Sequence, residues 1–124
     1  MIHLDTSVLI DAFTGPRRSL PAVRRATAAS EAMTFSSLVL FEWLRGPRTD
    51  DERRAVEAFF ASDAVAVFGV REAELAASLY RQVKGARQRQ ADLAIAACAF
   101  EHGARLWTLN TGDFADVPGL RLHG

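Results

Sequence analysis

Short β-type runs alternate with helical segments along this chain, and that alternation restricts the fold more than any other feature. Ile2-His3-Leu4 begins the pattern. A short helix follows over Ser7 to about Phe13 and stops at Gly15-Pro16. Leu20 to Glu31 reads as a second helix with Pro21 in its first turn, and Met33-Thr34-Phe35 as the second strand. Ser36 and Ser37 suit the cap of a helix over Leu38 to Arg45, which Gly46-Pro47 ends. Asp50 to Ser62 is amphipathic, with Ala55, Val56, Phe59 and Phe60 on one face. A third strand is expected over Ala64 to Phe68. Helices over Arg71 to Val83 and Arg87 to His102 are divided at Gly85, and Gly103 ends the second. Arg105 to Leu109 is the fourth strand, Asn110 to Asp113 a turn, and a fifth short strand lies near Leu120-Arg121-Leu122. Strands that alternate with helices in this way form a parallel sheet covered on both faces. The expectation is one α/β domain over residues 1–124, with a central parallel sheet of about five strands. Ligands of such sheets sit beyond the carboxyl ends of the strands, so an acid just after a strand is a site candidate.

Composition narrows the class. A hydrophobic share of 49% speaks for a globular chain. The longest apolar run, Leu93 to Phe100, falls far short of the roughly 20 residues of a membrane span. The start has an acid at position 5 and no basic stretch, so no signal peptide is expected. Cys98 is the single cysteine, which excludes an internal disulfide and reads as a small core residue of a cytoplasmic protein.

Four acids stand out by position. Asp5 follows the first strand, between two apolar groups of MIHLDTSVLID. Glu42 lies in SLVLFEWLRG, a segment apolar on nearly every side. Asp92 precedes the apolar run of RQADLAIAACAFEHG, and Asp113 lies in the turn TLNTGDF after the fourth strand. Each has an ordinary structural explanation: a helix cap for Asp5, the positive end of a helix dipole for Asp92, a turn residue for Asp113, an i, i+3 pair with Arg45 for Glu42. Glu42 fits its explanation least well, because a carboxylate among Leu38, Val39, Leu40, Phe41, Trp43 and Leu44 is at least partly buried and needs a strong partner. Taken together, two acids after strands and two on apolar helices can meet at one rim of a parallel sheet. Four carboxylates in one pocket repel, and a divalent cation removes the conflict. Oxygen ligands without Cys or His suit Mg²⁺ or Mn²⁺ rather than zinc. Such a site can activate water and polarise a phosphodiester.

The formal net charge is zero, yet the charges are segregated. Of 15 basic residues all but Lys84 are Arg, clustered at Arg17, Arg18, Arg24 and Arg25 and again at Arg81, Lys84, Arg87 and Arg89. With the four acids set aside, fifteen basic residues face eleven acidic ones. An acidic centre with a basic surround suits an enzyme that acts on a polyanion, and Arg forks grip phosphate well. Solvated helix surface is the competing explanation for the clusters.

LDTSVLID, LFEWLRG, ADLAIAACAFEHG and LWTLNTGDFADVPGL, in that order and at compatible spacing, resemble a PIN-domain protein, and more narrowly the VapC-type toxins of bacterial type II toxin–antitoxin systems. The resemblance runs along essentially the whole chain. It implies a PIN fold and a metal-dependent endoribonuclease that cuts structured RNA, often tRNA or rRNA. It also implies a homodimer and a small antitoxin protein that blocks the active site. Asp5, Glu42, Asp92 and Asp113 fall on the family's acidic quartet, with Asp5 and Asp92 the leading metal ligands and Glu42 and Asp113 completing the site. Thr6 and Asn110 fall on polar positions beside it, as supports, substrate contacts or turn residues. Gly112 stands where relatives often carry a basic residue, so one RNA contact is expected to be missing. Asp116 is either an extra acid of the site or a turn residue before Pro118-Gly119. Asp11 is expected at the surface, His3 in a strand rather than as a ligand, and both Trp residues in the core. A non-catalytic PIN scaffold is the alternative, although a scaffold has no need of four clustered carboxylates. A phosphoacceptor receiver domain would need an adjacent acidic pair after the first strand and a Lys after a late one. A haloacid-dehalogenase-type phosphatase would need Asp-x-Asp, where this chain reads Asp5-Thr6-Ser7.

Overall fold

In the computed structural model, which describes residues 1–61 and 65–124, the central strand is the first one of the chain. β1 (Ile2–Leu4) lies between β2 (Met33–Thr34) and β3 (Arg105–Trp107), and both pairings are parallel. Ile2 stands opposite Met33 and Arg105, and Leu4 opposite Trp107. Every β1 residue is buried, as a strand covered on both faces requires.

The sheet has three strands among the described residues, fewer than the sequence suggests. The two missing strands survive as single parallel bridges, Ser36 with Ala66 and Leu106 with Leu122. Ala66 donates to Phe35 and accepts from Ser37, but the Phe68 N–H then turns to the Ser37 hydroxyl, which ends the ladder. On the other edge Leu106 is bonded by Arg121 and His123 alone. Ala64 of the expected third strand and Ser62 of the expected fourth helix lie outside the described residues.

Helices flank this sheet: α1 (Thr6–Phe13), α2 (Leu20–Ala28), α3 (Ser37–Arg45), α4 (Asp50–Phe59), α5 (Val70–Gln82) and α6 (Gln90–Glu101). Short 3₁₀ turns cover Ala86–Arg89 and Thr111–Asp113. α2 ends before Glu31 because Ser30 turns left-handed (φ 64°), and Glu31 pairs with Arg105 at 2.5 Å. Ser36 caps α3 by accepting the Val39 N–H, while Ser37 is the first helical residue. Thr49 and Glu52 form a reciprocal capping box that starts α4. Gly85, at φ 65°, takes the left-handed conformation that separates α5 from the turn leading into α6.

α6 is the most buried helix. Its Leu93 and Ile95 to Ala99 are sealed, and it packs on α5, α3 and β3. The small Ala and Cys side chains allow that close approach from several sides. Phe13, Phe35, Phe59 and Phe60 meet in edge-on and tilted pairs with centroids 4.9–6.0 Å apart beneath α1 and α4. Trp43 is fully buried with the Arg48 guanidinium 4.5 Å above its ring, and Trp107 packs on His123. The Trp43 indole is closed to stacking a base, and Trp107 is partly buried. His3 is sealed in β1; burial above all, with His102 and the N-terminal amine, pushes its pKa down to about 4, so the ring is neutral at neutral pH. Among the described residues no helix is long and apolar enough to cross a membrane.

Candidate active site

Asp5 leaves the carboxyl end of β1 and is only 5% exposed. Its N–H donates to the Trp107 carbonyl at 2.8 Å, which fixes it at the rim between β1 and β3. It is the N-cap residue of α1 by position, yet its carboxylate makes no capping bond. Two hydroxyls hold it instead. Ser7 and Thr108 each donate to Oδ2 at 2.8 Å. Both are themselves fixed from behind, Ser7 Oγ by the Leu109 N–H and Thr108 Oγ1 by the Asn110 N–H. Oδ1 takes no hydrogen bond from the described residues. Asp5 is therefore a rigid carboxylate with one oxygen spent on the protein and one left over.

Glu42 reaches the same rim from α3. Thr6 Oγ1 donates to its Oε1 at 2.6 Å, and the exposed Arg45 guanidinium lies 3.5 Å from Oε2. The i, i+3 pair with Arg45 exists, but the shorter bond comes from Thr6, next to Asp5 in sequence. Asp92 stands in the first turn of α6. Its pKa is raised, first by burial and then by the charges of Asp5, Asp113 and Glu42, while Arg89 pulls the other way. Asp5, Asp113 and Glu42 are thus near enough for their charges to bear on Asp92. Asp113 is exposed on its 3₁₀ turn, with its N–H on the Asn110 carbonyl.

The four acids are set more widely than a tight ligand trio: among the described residues, the group of Asp, Glu, His or Cys ligand atoms that closes to within 4.8 Å is another one, His3–Cys98–His102. Wide spacing with oxygen donors fits a hydrated ion bridged by one or two carboxylates. The half-buried Asp92 carboxylate, facing the charges of the other acids, and the spare oxygen of Asp5 are the features such an ion would use.

Thr6 donates to Glu42, and Ser7 and Thr108, which no sequence motif singles out, hold Asp5. Asn110 contributes its backbone alone among the described bonds. Arg89, grouped with the exposed basic residues, is drawn inward. It binds Asp116 with two parallel hydrogen bonds of 2.6 and 2.9 Å and donates to the Asp113 carbonyl at 2.6 Å. Asp116 is thus a clamp for the turn rather than a fifth acid of the site. Arg17, Arg18, Arg24, Arg25, Arg81, Lys84 and Arg87 are exposed. A groove of about 330 Å³ runs from Ser7 past Asp11 and Thr14 to Arg18, with Leu109 on its other wall.

A family model for the PIN domain matches residues 2–120. The chain belongs to the PIN-domain family. Among solved structures this PIN domain is similar to a toxin–antitoxin complex from Klebsiella pneumoniae (28% identity, 97% of this chain and 95% of that one, TM-score 0.75). It is similar to VapBC from Salmonella typhimurium bound to DNA (23%, 98% and 96%, TM-score 0.75). It is also similar to VapBC2 from Rickettsia felis bound to a promoter fragment (20%, 99% and 98%, TM-score 0.73). No curated protein matches the sequence. In this fold Asp5 and Asp113 follow parallel strands, and Glu42 and Asp92 lie on α3 and α6.

Proposed function

We propose that this PIN domain is a divalent-metal-dependent endoribonuclease, the toxin of a toxin–antitoxin pair. The observation that carries the reading is the Asp5 carboxylate at the end of β1, held through Oδ2 alone by Ser7 and Thr108, with Glu42 brought beside it by Thr6. A site that concentrates four carboxylates against their repulsion is built for a cation. Asp5 and Asp92 would hold the ion, Mg²⁺ or Mn²⁺, with Glu42 and Asp113 contributing directly or through water. A divalent ion there supplies charge for activating water and for offsetting charge on the phosphate oxygens.

The chain's own groups do the positioning. Ser7 and Thr108 fix the Asp5 carboxylate, and Thr6 orients Glu42. Asp113, exposed on its turn, would complete the site directly or through water. Arg18 in the groove beside Ser7 is placed to grip the RNA backbone, with Arg17, Arg24 and Arg25 extending the positive surface. Arg81, Lys84 and Arg87 form the second arm. Structured RNA, tRNA or rRNA, is the substrate class.

The antitoxin partner fits an apolar groove of about 350 Å³ between α3 and α4, lined by Leu40, Trp43, Leu44, Val56 and Phe60 with Arg53 at its edge. Phe41 and Leu44 beside it are 59% and 51% exposed, a large apolar area for a free surface. Assembly as a homodimer belongs to the same reading, as does a cytoplasmic location.

The test is cleavage of total RNA by purified, antitoxin-free protein with Mg²⁺ or Mn²⁺ and with EDTA, beside Asp5→Asn. Discrete fragments that vanish with EDTA and with Asp5→Asn are expected. A folded wild type that cuts no RNA with either ion would move the non-catalytic scaffold ahead.

A further inference from the structure

Cys98 and His102 stand one helical turn apart at the end of α6, and His3 of β1 packs against both. One ligand atom from each, two ring nitrogens and a thiol sulfur, lie within 4.8 Å of one another. The His3 and His102 rings are 5.3 Å apart between centroids. His102 Nδ1 is 3.7 Å from Cys98 Sγ. Around a tetrahedral zinc ion, bonds of about 2.3 Å to sulfur and 2.0 Å to nitrogen put those two atoms roughly 3.6 Å apart.

Two further observations point to a ligand. His3 is only 2% exposed, and its Nε2 is sealed from solvent without a hydrogen-bond partner among the described residues. An orphaned buried ring nitrogen is costly unless something occupies it. A cavity of about 350 Å³, lined by His3 and His102 with Met1, Met33, Thr34 and Ala66, opens beside the cluster. It gives an ion a way in and leaves room for a water as a further ligand.

We propose that His3, Cys98 and His102 form a second cation site, for a borderline-to-soft transition ion of the Zn²⁺ class. The donors differ in kind from the acidic quartet: imidazole and thiolate select zinc-like ions, whereas carboxylates select Mg²⁺ or Mn²⁺. The two sites are also separate, since Cys98 and His102 lie roughly 9 and 15 Å along α6 from Asp92 by helix rise. His102 is exposed, so its ring is free to exchange the 2.7 Å contact with the Cys98 carbonyl for the ion. The Cys98 thiol passes its proton to water as the metal–sulfur bond forms. Once bound, the ion braces β1 against the end of α6. These are the elements whose other ends carry Asp5 and Asp92.

The experiment is a titration of the tag-free protein with Co²⁺ in saturating Mg²⁺, followed by displacement with Zn²⁺. Absorption from thiolate-to-cobalt charge transfer identifies the sulfur ligand, which carboxylates cannot imitate. One Co²⁺ per chain with that band is expected, released by Zn²⁺. Cys98→Ser is expected to abolish the band. His102→Ala, at an exposed position, should weaken Zn²⁺ binding at least tenfold and keeps the test decisive if the buried Cys98 variant fails to fold. A wild type with no charge-transfer band overturns the proposal. So does Zn²⁺ binding that persists in His102→Ala and disappears in Asp5→Asn, since the ion then belongs to the acids.

Discussion

Arg89 grips both carboxylate oxygens of Asp116, and the same guanidinium holds the carbonyl of Asp113. Arg89 sits just before α6, whose first turn carries Asp92, so a single side chain ties the Asp113 turn to the start of α6. Its charge also pulls the Asp92 pKa down against burial and the other acids. Arg89→Ala is expected to release the Asp113 turn and lower kcat about tenfold or more, with a smaller change in KM. Arg89→Lys keeps the charge but loses the fork, and should recover part of the loss. Steady-state cleavage of one RNA substrate by both variants checks this; equal kcat in all three proteins would remove Arg89 from the site.

The two hydroxyls on Asp5 predict a graded effect. Thr108→Val keeps the shape of the side chain and removes its donor, while Ser7→Ala removes the other. A hydrogen bond to a charged group contributes about 1.5–3 kcal/mol. Supports behind a metal ligand typically change metal affinity about 10- to 100-fold. Each variant should therefore weaken Mg²⁺ binding, measured by calorimetry, by about tenfold. The double variant is expected to fall short of the product, because both donors share Oδ2. Unchanged Mg²⁺ affinity in both singles would mean that Asp5 is not a ligand.

The Asp92 shift has a sign that stability can read. Its folded pKa lies above the ordinary 3.8. The folded, metal-free protein thus keeps a proton that the unfolded chain has already lost, and stability falls as pH rises from that value through the folded pKa. Above the window the penalty is complete. Asp116, lowered by its hydrogen bond with Arg89, works in the opposite direction but is fully exposed. Comparison with Asp92→Asn isolates the term. In EDTA at pH 7 the variant should melt higher than the wild type, and the gap should close toward pH 4. Mg²⁺ should raise the wild-type Tm at pH 7 and raise the variant's less.

The alternation of strands and helices and the helix stops at Gly46-Pro47 and Gly85 were legible because each is a local signal, and the four acids stand out in the sequence as local departures from their surroundings. Asp5 interrupts an apolar strand-to-helix passage and Glu42 an apolar helix, and such interruptions show in one dimension. The edge strands were overread because Ala66 and Leu122 look like strand residues but make one bridge each, and pairing partners set strand length. Ser7 and Thr108 were missed because hydroxyls are ordinary in helix starts and strand ends. Only the 2.8 Å bonds to one oxygen distinguish them. Arg89 was read with its exposed neighbours, since nothing local announces a partner 27 residues on. His3, Cys98 and His102 carry no metal spacing together, because a strand and the end of a helix meet only in the folded chain.

Gly112 sets the last prediction. It lies beside Asp113 on the exposed turn, and a Cβ added there meets nothing within 4 Å. It is not among the glycines with positive φ, so a side chain costs no left-handed strain. The turn itself carries no basic side chain, and the nearby Arg89 is engaged with Asp116 and the Asp113 carbonyl. Gly112→Arg should leave Tm nearly unchanged. It should tighten RNA binding several-fold at low salt and steepen the salt dependence by about one phosphate contact, a slope change near −0.7 to −0.9. Gly112→Gln, similar in length and neutral, separates charge from bulk. Filter binding of the uncleaved complex with the Asp5→Asn background, across a salt series, reads both quantities. If Gly112→Arg and Gly112→Gln bind alike at every salt concentration, RNA does not pass over this turn.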